Sequence, residues 1–105
     1  MPRLGTRPRG YFQNLILNLL EQKLALTTTQ ISTLTNRPMS QTHDTLWRLY
    51  GLGYVSTILV AHRVGKRKAS IIARYWCLKK NINRVIEYFK RLEEQGECYI
   101  VEIMR

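Results

Sequence analysis

Apolar positions along the chain fall into stretches of helical and of strand-like spacing, separated by glycine, proline and asparagine. From Tyr11 onward, Phe12, Leu15, Ile16, Leu19 and Leu20 recur at alternating steps of three and one, which is the stripe of an amphipathic helix. The spacing predicts a first helix over residues 11–25, closed by Leu24 and Leu26. Thr27 and Gln30 then stand in the Ser/Thr-x-x-Glu/Gln spacing, in which two free backbone donors are satisfied reciprocally. A second, short helix therefore begins there and presents Ile31 and Leu34 inward. It ends near Asn36, because Pro38 disfavours helical backbone at Arg37 and asparagine readily takes the left-handed conformation. Pro38 or Ser40 opens a third helix reaching to about residue 50, with Ser40 as a candidate cap and Thr42, Leu46 and Leu49 on one face. Gly51 and Gly53 terminate it.

The pattern then changes. YVSTILVA and ASIIARYWCL are rich in β-branched residues and flank HRVGKRK, which holds a glycine and four cations. This composition predicts a β-hairpin with a basic tip. After it, Asn81 or Asn83 can cap a fourth helix in which Ile82, Val85, Ile86, Phe89 and Leu92 form a stripe. The last residues support two readings. Gly96 and the β-branched run of 97–105 favour a strand, whereas Ile82, Val85, Phe89, Leu92, Gly96, Tyr99 and Ile103 keep the alternating three and four spacing of a coiled-coil seam.

The order helix, short helix, tight turn, helix, hairpin, helix resembles a winged helix-turn-helix, and the resemblance covers residues 11–80. The likeness is sharpest in ISTLTNRPMSQTHDTLWRLYGLGYV, where Leu46, Leu49, Gly53, Tyr54 and Val55 match the Leu-x-x-Leu-x-x-x-Gly-aromatic-Val run of MarR- and ArsR-type regulators. Small archaeal winged-helix proteins are similar in the same way. Thr42 departs from the pattern, since those families usually carry an apolar residue there. The resemblance implies an α+β fold, a three-helix bundle plus a β-hairpin wing, with an additional C-terminal helix. It further implies that helix 38–50 lies in the major groove of double-stranded DNA and that the wing, residues 62–69, follows the backbone or enters the minor groove.

The residue pattern leads to the same face independently. With Leu46 and Leu49 inward at 100° per residue, Ser40, Gln41, Asp44, Trp47 and Arg48 occupy the opposite side and His43 its flank. Gln can pair bidentately with adenine and Arg with guanine, and a carboxylate can accept from the cytosine amino group. Ser40 suits a phosphate, and Arg37 lies in the adjoining turn. Asp44 has the competing role of stabilising the first helical turn, and Trp47 the competing role of packing. Arg63, Lys66, Arg67 and Lys68 at the hairpin tip are expected to follow phosphates. Arg3, Arg7 and Arg9, in a Pro- and Gly-containing stretch over residues 1–10, suggest a mobile basic arm.

Charge gives these features a common direction. Seventeen Lys and Arg against seven Asp and Glu leave +10 on 105 residues, enough for one domain and indicative of a polyanionic partner. The excess is uneven, because residues 1–80 carry 13 basic and 2 acidic side chains whereas residues 81–105 carry 4 and 5. That second segment is expected to serve dimerisation through Ile82, Val85, Phe89 and Leu92. No stretch has the length of a membrane span. His43, His62, Cys77 and Cys98 lack zinc-ligand spacing, and Glu21 and Asp44, the carboxylates of the first 80 residues, lie on different helices without a partner nucleophile. No enzyme activity, cofactor, metal, membrane partner or small-molecule effector is expected. Two cysteines outside any disulfide framework suit a reducing cytoplasm, and the expected DNA partner suits association with the nucleoid. The expectation is thus a homodimeric transcription regulator, with an architectural DNA-binding protein or a protein-interaction subunit as alternatives.

Overall fold

The chain is described by a computed structural model over residues 10–65 and 70–105; residues 1–9 of the expected arm and the hairpin-tip cations Lys66, Arg67 and Lys68 lie outside these. In chain order the elements are α1 (Gly10–Gln22), β1 (Leu26–Thr27), α2 (Thr28–Thr35), α3 (Met39–Gly51), β2 (Val55–Arg63), β3 (Ser70–Leu78), a 3-10 turn (Lys79–Asn81), α4 (Ile82–Glu94) and β4 (Cys98–Met104). The fold is α+β, with an antiparallel sheet in the order β1-β3-β2-β4.

The local signals operate as physical chemistry dictates. Thr27 Oγ1 accepts from the Gln30 N–H at 3.1 Å while Gln30 Oε1 accepts from the Thr27 N–H at 2.9 Å, so the start of α2 is closed from both sides. Asn36, at φ 55°, ends α2 in the left-handed region, and its short polar side chain makes it one of the few residues to do so at low cost. Ser40 is not the cap of α3. It lies inside the helix, and Pro38 precedes the first turn without a side-chain cap. The Pro38 carbonyl instead accepts from both the N–H and the Oγ1–H of Thr42, at 3.0 and 2.9 Å. This explains how a threonine takes the apolar position of the pattern. Its hydroxyl is satisfied by the preceding turn, and the side chain is completely buried.

Two apolar clusters hold the layers together. Ile16 and Leu20 of α1, Ile31 of α2, Leu46 and Leu49 of α3, and Val55, Trp76 and Leu78 of the sheet form the first. Leu34, expected inward, is 56% exposed. In a helix of only two turns, the face toward α1 and α3 is carried by Ile31 and the half-buried Thr35. Ile58, Val60, Cys77 and Cys98 of the sheet meet Ile82, Val85, Ile86 and Phe89 of α4 in the second.

That second cluster corrects the expectation for residues 81–105. Ile82, Val85 and Phe89 are buried within their own chain and Leu92 is packed against them, so this stripe is not available to a partner. Each such side chain contributes about 1.5–3 kcal/mol on leaving water, and the hairpin offers an apolar face within reach. The seam also stops at Gly96. Its φ of +77° reverses the chain, and residues 98–104 continue as β4 alongside β2, which settles the tail as a strand.

Cys77 and Cys98 are buried free thiols. Burial pushes Cys77 from 9.0 up to about 11, and it raises Cys98 and Tyr75 as well. The unfolded chain therefore releases a proton near pH 9 that the folded chain retains until about pH 11. Stability due to Cys77 is complete below pH 9 and declines by about 2 kcal/mol as pH rises through that window. Urea midpoints measured across this range should fall, and a Cys77→Val variant should show a shallower fall. Equal slopes would contradict the assignment.

Candidate nucleic-acid interface

The turn joining α2 to α3 is fixed at several points. The Arg37 N–H donates to the Ser32 carbonyl at 3.1 Å, and Ser32 Oγ donates back to the Arg37 carbonyl at 2.5 Å. With its backbone held, Arg37 lays its guanidinium over the Phe12 ring at 4.9 Å from the centroid, a contact in which the ring's negative face attracts the cation. Arg37 is consequently half-buried and aimed along the mouth of a cleft between the start of α1, this turn and α3.

The cleft has a volume of about 290 Å³ and is lined by Tyr11, Phe12, Gln13, Arg37, Gln41, Thr45 and Arg48. Gln41 and Arg48 stand two helical turns apart on one ridge of α3, so both exposed side chains border the same opening. Neither Arg37 nor Arg48 makes an ion pair with a carboxylate among the described residues, and nor does Arg63; Lys80 pairs with Glu21, Arg74 with Glu102 and Arg91 with Glu87. Two guanidiniums beside amide and phenol groups provide hydrogen-bond donors in the geometry that suits phosphate oxygens.

The expected base-facing residues divide in two. Ser40, Gln41, His43, Asp44 and Arg48 are all exposed on α3. Trp47 does not belong with them. It is half-buried, its large ring folding back over the sheet to meet Trp76 edge-on at 4.9 Å and Tyr50 at 5.7 Å. The Trp47 Nε1–H donates to His43 Nε2 at 3.0 Å. That bond leaves the neutral imidazole's proton on Nδ1, which faces Asp44 Oδ1 at 3.7 Å. His43 thereby braces α3 and stands against Asp44, while Gln41 and Arg48 stay exposed.

Arg63, at the end of β2, is exposed and its Nη1 lies 3.4 Å from the Gly96 carbonyl. Of the hairpin-tip residues expected on the phosphates it is the one within the described structure. Of the seven expected residues within the described structure, Arg37, Gln41 and Arg48 line one cleft, Ser40, His43 and Asp44 are exposed elsewhere on α3, and Arg63 is on the hairpin.

Three contributors escaped the sequence reading. Tyr11 and Gln13 line the cleft from α1, a helix whose stripe advertised only core residues. Arg74 occupies an inner position of β3 and reads as an ordinary solvated cation. Its guanidinium in fact lies 5.2 Å from the Trp47 ring and donates to Thr57 Oγ1 and Glu102 Oε1, each at 3.3 Å, tying α3 to β4 across the sheet.

A second concavity, about 350 Å³, opens between Lys23, His62, Tyr75, Tyr88, Phe89 and Leu92. Its walls are aromatic and aliphatic with one ammonium, and Tyr75 OH is bonded to His62 Nε2 at 2.8 Å. It suits an apolar group rather than a polyanion. Among the described residues no cluster of His, Cys, Asp and Glu could hold a metal ion, and no helix is long and apolar enough to cross a membrane. No protein-family model matches the chain, and no curated protein sequence is significantly similar to it.

Proposed function

We propose that the chain is a winged helix-turn-helix protein that binds double-stranded DNA sequence-specifically and regulates transcription. Support comes first from one arrangement: an exposed polar ridge on α3 bordered by Arg37 and Arg48, two cations without a carboxylate partner among the described residues, in a chain of +10. In this reading α3 enters the major groove. Gln41, Asp44 and Arg48 read base edges, and Ser40 and Arg37 hold phosphates on the α1 side. The β2–β3 hairpin is the wing, with Arg63, Lys66, Arg67 and Lys68 on the backbone. A homodimer would set two such helices about 34 Å apart on a palindromic site, and the site of action would be the cytoplasmic nucleoid.

Binding of the purified chain to selected duplexes across a salt series tests this. Affinity should fall steeply with salt, by about 0.9 log units per phosphate contact per tenfold rise. Lys66→Ala with Arg67→Ala should weaken all sequences alike and flatten the slope, whereas Gln41→Ala should change which sequence is preferred. A regulator keeps a preference of roughly a thousandfold over random DNA. Salt-steep binding without that preference would identify an architectural protein instead, and salt-independent binding would point to a protein-interaction subunit.

A further inference from the structure

The sheet has two unequal edges. On one side β1 is two residues long, Leu26–Thr27, too short to template a partner strand. On the other, β4 runs for seven residues and, among the described residues, pairs with β2 alone. Exposed edges of this length are normally guarded by proline or lysine, and CYIVEIM contains neither. It carries exposed Tyr99, Val101 and Ile103, at 56%, 46% and 36%. Two lesser guards are present. The pairing register with β2 shifts between Leu59 and Val60, and the Glu93 carboxylate accepts from the Ile100 N–H at 3.0 Å, occupying an edge donor that β2 does not use.

We propose that a second copy of this chain pairs along the free edge of β4, antiparallel to its own β4. Charge argues for that occupant. Residues 1–80 carry 13 basic and 2 acidic side chains, so two copies repel wherever those surfaces meet; residues 81–105, with 4 and 5, are where they approach at little cost. A polyanion is disfavoured at the same edge by the Glu93 carboxylate, which sits on the Ile100 N–H. An antiparallel strand is self-complementary about a two-fold axis, and strand addition joins backbone donors and acceptors while burying alternate side chains. A partner carbonyl replaces the Glu93 carboxylate at the Ile100 N–H. The two sheets then form one continuous sheet with both α4 helices on the same face. The need for a second copy comes from the DNA-binding reading; the choice of edge does not.

Sedimentation of the full chain without DNA should show a dimer. Val101→Lys combined with Ile103→Lys should weaken association by more than about tenfold, with unchanged circular dichroism, since both side chains are exposed in the single chain. In the wild type, amide exchange over residues 98–104 should slow as protein concentration rises. A monomeric wild type, a dimer indifferent to the two lysines, or edge amides whose exchange ignores concentration would each overturn the proposal. So would an edge protected only by a foreign extended peptide. DNA binding is scored separately: a dimer that ignores DNA removes only the functional reading, and a DNA-binding monomer removes only this interface.

Discussion

Trp76→Ala should cost about 3–5 kcal/mol, a large share of the 5–15 kcal/mol that holds a domain of this size together. Trp76 is completely buried. It stands on β3 opposite Leu26 of β1 and Thr57 of β2, its ring meets Trp47 of α3 edge-on at 4.9 Å and 85°, and its Nε1–H donates to Thr28 Oγ1 at 2.9 Å at the start of α2. One side chain thus joins two helices to three strands. Removing it opens a cavity and leaves the Thr28 hydroxyl without that donor. Trp76→Phe retains most of the packing and loses the N–H bond, so it should cost much less, about 1–2 kcal/mol. Urea unfolding followed by circular dichroism measures both. A loss below about 1 kcal/mol for the alanine variant would mean that the helices are held on the sheet elsewhere.

The same tryptophan shows which features the sequence makes legible. Signals acting within a few residues were readable because their chemistry is local. Thr27 and Gln30 close α2 wherever it lies, and Asn36 before Arg37-Pro38 must turn. The polar ridge of α3 follows from two leucines and a rotation of 100° per residue. Features set by what arrives from elsewhere were not readable. A two-residue strand such as β1 has no period. Ile82, Val85 and Phe89 declare an apolar face without declaring what covers it, and the nearest apolar surface, the hairpin, took it. Tyr99 and Ile103 satisfy helix and strand spacing alike, and the tie is broken by the backbone reversal at Gly96 and the edge of β2 beside it. In the candidate site, Gln41, Asp44 and Arg48 were legible as exposed, whereas the shared roles of Tyr11, Gln13 and Arg74 depend on neighbours more than 20 residues away.

Arg37→Ala with Arg48→Ala should have the largest effect on the proposed DNA binding, and the two members should fail differently. Arg37 is restrained by its stack on Phe12 and by the backbone bonds of its turn, so its guanidinium serves a fixed phosphate rather than searching a groove. Its loss should weaken every duplex alike and lower the salt slope by about 0.9. Arg48 is exposed on the same α3 ridge as Gln41, two turns further along, and makes no ion pair among the described residues. If it pairs bidentately with guanine, its loss costs about 1–3 kcal/mol on the preferred sequence and little on random DNA. The double variant should then lose roughly a hundredfold or more on the preferred site while its slope changes by only one contact. Titration of each variant against preferred and random duplexes at several salt concentrations separates these outcomes. Two equal slope changes would make both arginines backbone contacts and leave base reading to Gln41 and Asp44. Unaltered affinity in the double variant would remove the cleft, and with it the orientation proposed for α3 on DNA.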